Sequence, residues 1–303
     1  MKIPHPIPYQ GSKRNLAKQI LRFFPNNVDR LVEPFAGSAA MSIASAYHTK
    51  AEAFWINDIN EPLIHLWEKI INNSELLAEQ YRDIWLGQMG REEEYYYEIR
   101  QLFNETQQAE YLLFLLAKCV KAAVRYNSNG VFNQSPDKRR KGRRPENMKS
   151  DILRVSQLLH EKSKLTSLHY EDLLDDLKED DLVYLDPPYQ GTGKKGGFRY
   201  FRDVKYENFI TFLFQLNGKE IPFILSYDGR TGDKVFGQPL PEELNLTKVE
   251  IDAGRSSTAT LHNRKQNTFE SLYISECLAK RISIEEILNP KLIAAPTLFD
   301  CYG

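Results

Sequence analysis

Short apolar runs closed by polar or turn-forming residues recur along this chain, and each reads as a buried strand. They cover residues 29–33, 53–56, 164–168, 181–185, 220–228 and 269–275. Helical periodicity marks residues 16–21, a small-residue stretch ending at Ser45, and residues 152–159. Between the second and third runs the spacing predicts helices over 63–81 and 93–103, and a strongly apolar helix over 109–126. Residues 253–257 read as a loop, and the stretch after Pro290 is uninformative.

The run 181–185 leads directly into Asp186-Pro187-Pro188-Tyr189. The carboxyl end of a buried parallel strand is where open α/β sheets bind their ligands. Two prolines remove two backbone donors, fix φ, and push the residue before them into an extended conformation. The result is a stiff bend with unpaired carbonyls, a carboxylate and a tyrosine face. That set suits a planar ring bearing an amino group, which the acceptors hold by its hydrogens while Tyr189 stacks on it. A capped Pro-Pro loop without chemistry fits the same four residues, so the motif alone leaves both readings open.

Earlier turns carry related signals. Tyr9-Gln10-Gly11-Ser12-Lys13 stands just before a helix, where an anionic group is favoured, although taken alone the stretch reads first as a plain surface turn. Glu33-Pro34-Phe35-Ala36-Gly37-Ser38 joins a strand to a helix, and its glycine lets a ligand approach the backbone. It matches neither the dinucleotide fingerprint nor the phosphate-binding loop. Asp58 closes the second run, where nucleotide-binding sheets grip ribose hydroxyls; it also suits the cap of a helix starting near Glu61.

Composition changes the picture little. A formal net charge of −1 gives no global attraction to nucleic acid. Three scattered cysteines, with no CxxC pair, argue for a reducing, cytoplasmic setting and against structural zinc. No apolar run is long enough to span a bilayer, and no His/Cys cluster suggests a metal. The local exception is Lys138-Arg139-Arg140-Lys141-Gly142-Arg143-Arg144, basic throughout save for one glycine. Just before it, Asn129-Gly130 lies between residues of strand character, a hairpin signal. The acidic runs at 92–94 and 175–181 read as solvated surface.

Tyr-Gln-Gly-Ser-Lys, Glu-Pro-Phe-Ala-Gly-Ser, Asn57-Asp58 and Asp-Pro-Pro-Tyr, in that order, resemble the Dam-like (alpha-group) DNA adenine-N6 methyltransferases. The likeness extends to Tyr170-Glu171-Asp172, Arg125-Tyr126-Asn127, Gly130 and Phe132-Asn133, and so covers most of the chain. It implies a Rossmann-like mixed-sheet α/β core, residues 1–61 and 151–303, with a mainly helical target-recognition insertion at 62–150 carrying a β-hairpin. It implies S-adenosylmethionine as cofactor, held by Tyr9, Lys13, Glu33, Pro34, Phe35, Ala36, Gly37, Ser38, Asp58, Tyr170, Asp172 and Asp186. Catalysis falls to Asp186, Pro187, Pro188 and Tyr189, acting on an adenine rotated out of duplex DNA.

Arg125, Asn127, Asn129 and Asn133 are the candidates for base contact, because Arg and Asn make bidentate bonds to base edges. Lys138, Arg139, Arg140, Lys141, Arg143 and Arg144 are candidates for phosphate contact, and Arg199 lies in a basic lid after the catalytic motif. Arg255 is a further phosphate candidate. The resemblance also implies a restriction-modification setting, with a separately encoded endonuclease acting on the same site as partner. The same chemistry on RNA or cytosine N4, or a non-catalytic DNA-binding protein on this scaffold, stays open at this point.

Overall fold

Strand formation follows the apolar runs: β1 (Val28–Glu33), β2 (Ala51–Asn57), β3 (Ser163–Thr166) and β4 (Asp181–Leu185) pair in parallel. These belong to a computed structural model that describes residues 2–188, 204–231, 234–236, 238–255 and 267–288. β5 (Phe223–Thr231) continues the parallel set beside β4. β7 (Thr247–Arg255) and β8 (Asn267–Ile274) then close the far edge antiparallel, giving the order β3-β2-β1-β4-β5-β8-β7, with β6 (Lys234–Phe236) paired to β5. Central strands buried on both faces need continuous apolar sequence rather than alternation. β4 meets that demand, since all five of its residues are buried.

Each face of the sheet has its own core. Leu31, Phe54, Ile56, Leu182 and Ile224 point to one side, in one core with α1 (Ala17–Ile20), α2 (Ala40–Tyr47), α3 (Glu61–Asn72) and α7 (Pro145–Leu159). Val32, Trp55, Val183, Leu185 and Leu225 point to the other, against Phe209, Phe212, Leu213 and Leu216 of α8 (Tyr206–Gly218). The first core runs on without interruption into α4 (Ser74–Gly87), α5 (Glu92–Thr106) and α6 (Ala109–Lys118). Trp67, Tyr81, Phe103 and Phe114 are wholly buried within it.

Several local expectations need correction. The helical stretch 63–81 is two helices, broken at Asn73, whose φ of −132° leaves the helical region. The helix expected over 109–126 stops at Lys118. Cys119 turns extended (φ −69°, ψ 160°) and bridges to Pro136, while the Val120 N–H donates to the Ser135 carbonyl at 3.0 Å. Cross-chain hydrogen bonds replace the helical ones, so apolar content no longer decides the conformation. Residues 253–255 continue β7 past a register shift at Gly254 (φ +80°), where a loop was expected; Ser256 and Ser257 lie outside the described residues. Asp181 is not solvated: it is buried and paired to Arg30 at 2.6 Å.

The hairpin forms as a short tip. Asn127 N–H donates to Val131 at 2.9 Å and Asn133 N–H to Arg125 at 3.0 Å, with Tyr126 bridged to Phe132. The Asn127 side-chain carbonyl accepts the N–H groups of Asn129 and Val131, and Gly130 takes φ +73°. Phe132 anchors this tip, meeting Tyr126 at 5.6 Å and Phe103 at 5.8 Å between ring centroids.

Candidate active site

β1 lies between β2 and β4, so the chain order reverses there, and the carboxyl ends of β1 and β4 flank the crevice this leaves. Glu33 ends β1 and Asp186 follows β4. One cavity opens at this point. Tyr9, Lys13, Glu33, Pro34, Phe35, Ala36, Gly37, Ser38, Asp58, Tyr170, Asp186, Pro187 and Pro188 all line it. Residues from five separate stretches therefore meet in one place.

The glycine turn is shaped by close approach. Gly37 has φ +49°, and a Cβ there would lie 3.1 Å from the Tyr9 ring. Its N–H donates to Asp58 Oδ2 at 2.9 Å and its carbonyl accepts the Trp67 indole N–H at 2.9 Å. Asp58 Oδ1 accepts the Asn60 N–H at 3.0 Å. Each oxygen of Asp58 is thus pinned by one backbone donor and keeps further acceptor capacity. Burial raises its pKa, against the pull of those two hydrogen bonds.

Glu33 faces the start of α2. It accepts the Ser42 N–H at 2.8 Å, the Met41 N–H at 3.4 Å and the Ser42 hydroxyl. Those backbone groups are orphan donors at a helix N-terminus, which favours an acceptor. Burial still wins, pushing the Glu33 carboxyl up to about 7.

Tyr170 is buried against Phe35 and Phe212, each at 5.1 Å between ring centroids. Asp172 is not brought into the main cavity; it lines an adjoining groove with Glu61, His65, Tyr126 and Gly130. His169 lines both spaces, its Nδ1 held 3.1 Å from Glu171. Sequence reading passed over His169, although it stands beside Tyr170 and its imidazole is a natural ring contact.

Asp186 Oδ1 accepts a hydrogen bond from the Lys13 ammonium at 2.8 Å. Lys13 also lies 3.1 Å from Glu270 on β8, which in turn accepts the Ser226 hydroxyl at 2.6 Å. Burial raises the Asp186 pKa, and Lys13 opposes that. Glu270 and Ser226 are the other residues the sequence did not flag. Tyr189 and Arg199 lie outside the described residues, as does the side chain of Arg255.

The expected nucleic-acid residues divide. Asn127, Asn129 and Asn133 are exposed on the hairpin, with the Asn127 carbonyl already used in the turn. Arg125 is half-buried, and its Nε has no partner among the described residues. The basic run is largely engaged. Lys138 pairs with Glu93 at 2.8 Å, Lys141 with Glu92 at 2.7 Å, Arg139 and Arg140 with Asp137, and Arg143 with Asp151 at 2.6 Å. Arg144 is exposed at the start of α7. The acidic stretch of α5 is therefore the counter-charge of this loop and not a free solvated face.

Comparison with known proteins gives the same picture. Residues 9–287 match the family model for D12 class N6 adenine-specific DNA methyltransferases. The retron Ec67 DNA adenine methylase of Escherichia coli is 30% identical over 192 residues, 61% of this chain and 64% of that protein. The modification methylase StsI of Streptococcus sanguinis is 26% identical over 95% of this chain and 45% of its own length. The type II methyltransferase M.MjaIII of Methanocaldococcus jannaschii is 26% identical over 91% of this chain and its own full length, 100%. The chain spans less than two thirds of the length of the first two. With the glycine turn, the pinned acid and the Asp-Pro-Pro corner around one switch-point cavity, and with most of its length matched, this chain belongs to the D12 class of N6 adenine-specific DNA methyltransferases.

Proposed function

We propose that this protein transfers a methyl group from S-adenosylmethionine to the N6 amino group of an adenine in double-stranded DNA. The observation that carries the reading is a single cavity with the Asp186-Pro187-Pro188 corner on one wall and the Gly37 turn with Asp58 on another. The donor set fits the cofactor. Asp58 retains acceptor capacity for adjacent ribose hydroxyls, the unsubstituted Cα of Gly37 leaves room beside Tyr9, and Phe35 and Tyr170 supply aromatic wall. Bound there, S-adenosylmethionine supplies a methyl group already activated on a sulfonium sulfur.

The remaining work belongs to the chain. The adenine amino lone pair is delocalised into the ring, so that nitrogen is a weak nucleophile. Asp186 and the Pro187 carbonyl accept its hydrogens, bias it toward pyramidal geometry and stabilise the positive charge it gains. Pro187 and Pro188 hold those acceptors without competing backbone donors. One amino proton must leave, and Asp186, its pKa raised by burial, is suited to take it. Tyr189 stacks on the base, which has to be rotated out of the duplex to reach the corner. Among the hairpin and loop residues, Arg125, Asn127, Asn129 and Asn133 contact bases, and Arg144 with the loop cations contacts phosphate. The protein acts in a reducing, cytoplasmic compartment, and a separately encoded restriction endonuclease reading the same site is its partner. Among the described residues no helix is long and apolar enough to cross a membrane.

Mass spectrometry of nucleosides from DNA treated with the protein and cofactor tests this reading. N6-methyladenine is expected with the wild type and is lost with Asp186→Ala, while cofactor binding by calorimetry persists. N4-methylcytosine as product, methylation of RNA alone, or near-normal turnover by Asp186→Ala would each sink it.

A further inference from the structure

We propose that Glu270 is a positioning residue for methyl transfer: it shares the Lys13 ammonium with Asp186 and so keeps the corner acceptor-rich. This rests on the role given above to Asp186. Lys13 Nζ lies 2.8 Å from Asp186 Oδ1 and 3.1 Å from Glu270 Oε1, and the three side chains are only 7%, 21% and 13% exposed. Glu270 is delivered from β8, opposite the bulge between Ser226 and Gly229 of β5, and the Ser226 hydroxyl fixes its Oε1 at 2.6 Å.

The charges decide what this arrangement does. A Lys13–Asp186 pair alone is neutral, with the ammonium turned on Oδ1 of a single carboxylate. Glu270 adds a second carboxylate beside that ammonium. Such a cluster attracts the positive charge that develops on the target nitrogen, in a site shielded from water where each charge counts for more. Lys13, divided between two partners, still orients Asp186 without consuming it. Among the described residues, Lys13 and Glu270 are the charged groups that bear on Asp186, and Asp186 in turn bears on Glu33 at the end of β1.

Glu270→Gln keeps the shape and a carbonyl acceptor for Ser226 and Lys13 while removing the charge. The expected result is a fall of about tenfold in kcat with KM for cofactor and DNA little changed. The acid limb of kcat should move to lower pH, because Glu270 no longer raises the Asp186 pKa, and Glu270→Asp should move it back. Carboxyl carbon NMR of Asp186 gives the same answer without turnover, as a lower titration midpoint in Glu270→Gln. Wild-type kcat, a change in KM alone, or an unmoved Asp186 titration in folded Glu270→Gln would each overturn the proposal. If the wild type modifies no adenine, the proposed reaction fails, yet the NMR titration still decides the role of Glu270.

Discussion

Glu33 holds its carboxylate out of water against three donors at the start of α2, and its pKa rises from 4.5 to about 7. A pKa raised on folding means the folded state holds the proton more tightly. The stability this contributes is intact below 4.5 and is lost as pH rises to about 7. Relative to Glu33→Gln, which has nothing to titrate, the wild type should lose roughly 3 kcal/mol across that window. Urea denaturation of both proteins at pH 4.5 and pH 8 measures it, and parallel behaviour would refute the assignment. Gly37 makes a second demand at this scale. An alanine there is strained by about 1 kcal/mol at φ +49° and meets Tyr9 at 3.1 Å. Gly37→Ala should lower the melting temperature and weaken cofactor affinity; calorimetry showing unchanged affinity would rule out close approach at this turn. Gly37 was legible because strand, glycine and helix follow one another locally. Glu270 was not, because its partners Lys13 and Ser226 reach it only through the sheet, and nothing around it in β8 marks it out.

At the scale of elements, the segment between α6 and the hairpin is where sequence and structure part. Residues 109–126 are apolar enough to read as one helix, yet Lys121 and Ala122 take φ of 59° and 50° in succession. The bend is fixed from outside: Gln10 N–H donates to the Ala122 carbonyl at 2.9 Å, and Cys119 bridges to Pro136. Helical propensity acts over one turn, whereas these bonds join this segment to the lip of the switch-point cavity, which Gln10 and Val124 both line. Left-handed conformation is costly for alanine and not for glycine. Ala122→Gly should therefore stabilise the protein by about 1 kcal/mol, less whatever the freer unfolded chain takes back. A urea midpoint that fails to rise would mean the strain is not stored at that residue. The strands were legible for the converse reason, since a run such as 181–185, buried on both faces, carries its own signal in every residue.

Across the whole molecule, the near-zero net charge hides an internal cancellation. The basic loop 138–144 was legible as a charge run, but the counter-ions of its two lysines lie some 45 residues earlier on α5, at Glu92 and Glu93, and only the fold brings them together. Lys138–Glu93 and Lys141–Glu92 are exposed pairs, worth little to stability, so they can exchange partners when phosphate arrives. They nonetheless mean that DNA must displace a carboxylate at each lysine before a phosphate contact is gained. The expected consequence concerns salt. A protein that neutralises Z phosphates shows log K falling with log salt at a slope of about −0.9Z. Glu92→Gln combined with Glu93→Gln frees both lysines, and if both then engage phosphate fully the slope should steepen by up to about 1.8. Binding to non-specific duplex should tighten at low salt, while discrimination between target and non-target sites narrows, because phosphate contacts add affinity without reading sequence. Fluorescence anisotropy with a labelled duplex between 50 and 200 mM salt, roughly the range over which such contacts tell, measures the slope. An unchanged slope in the double variant would mean that this loop does not face the DNA, and the phosphate-binding role would pass to other cations of the chain.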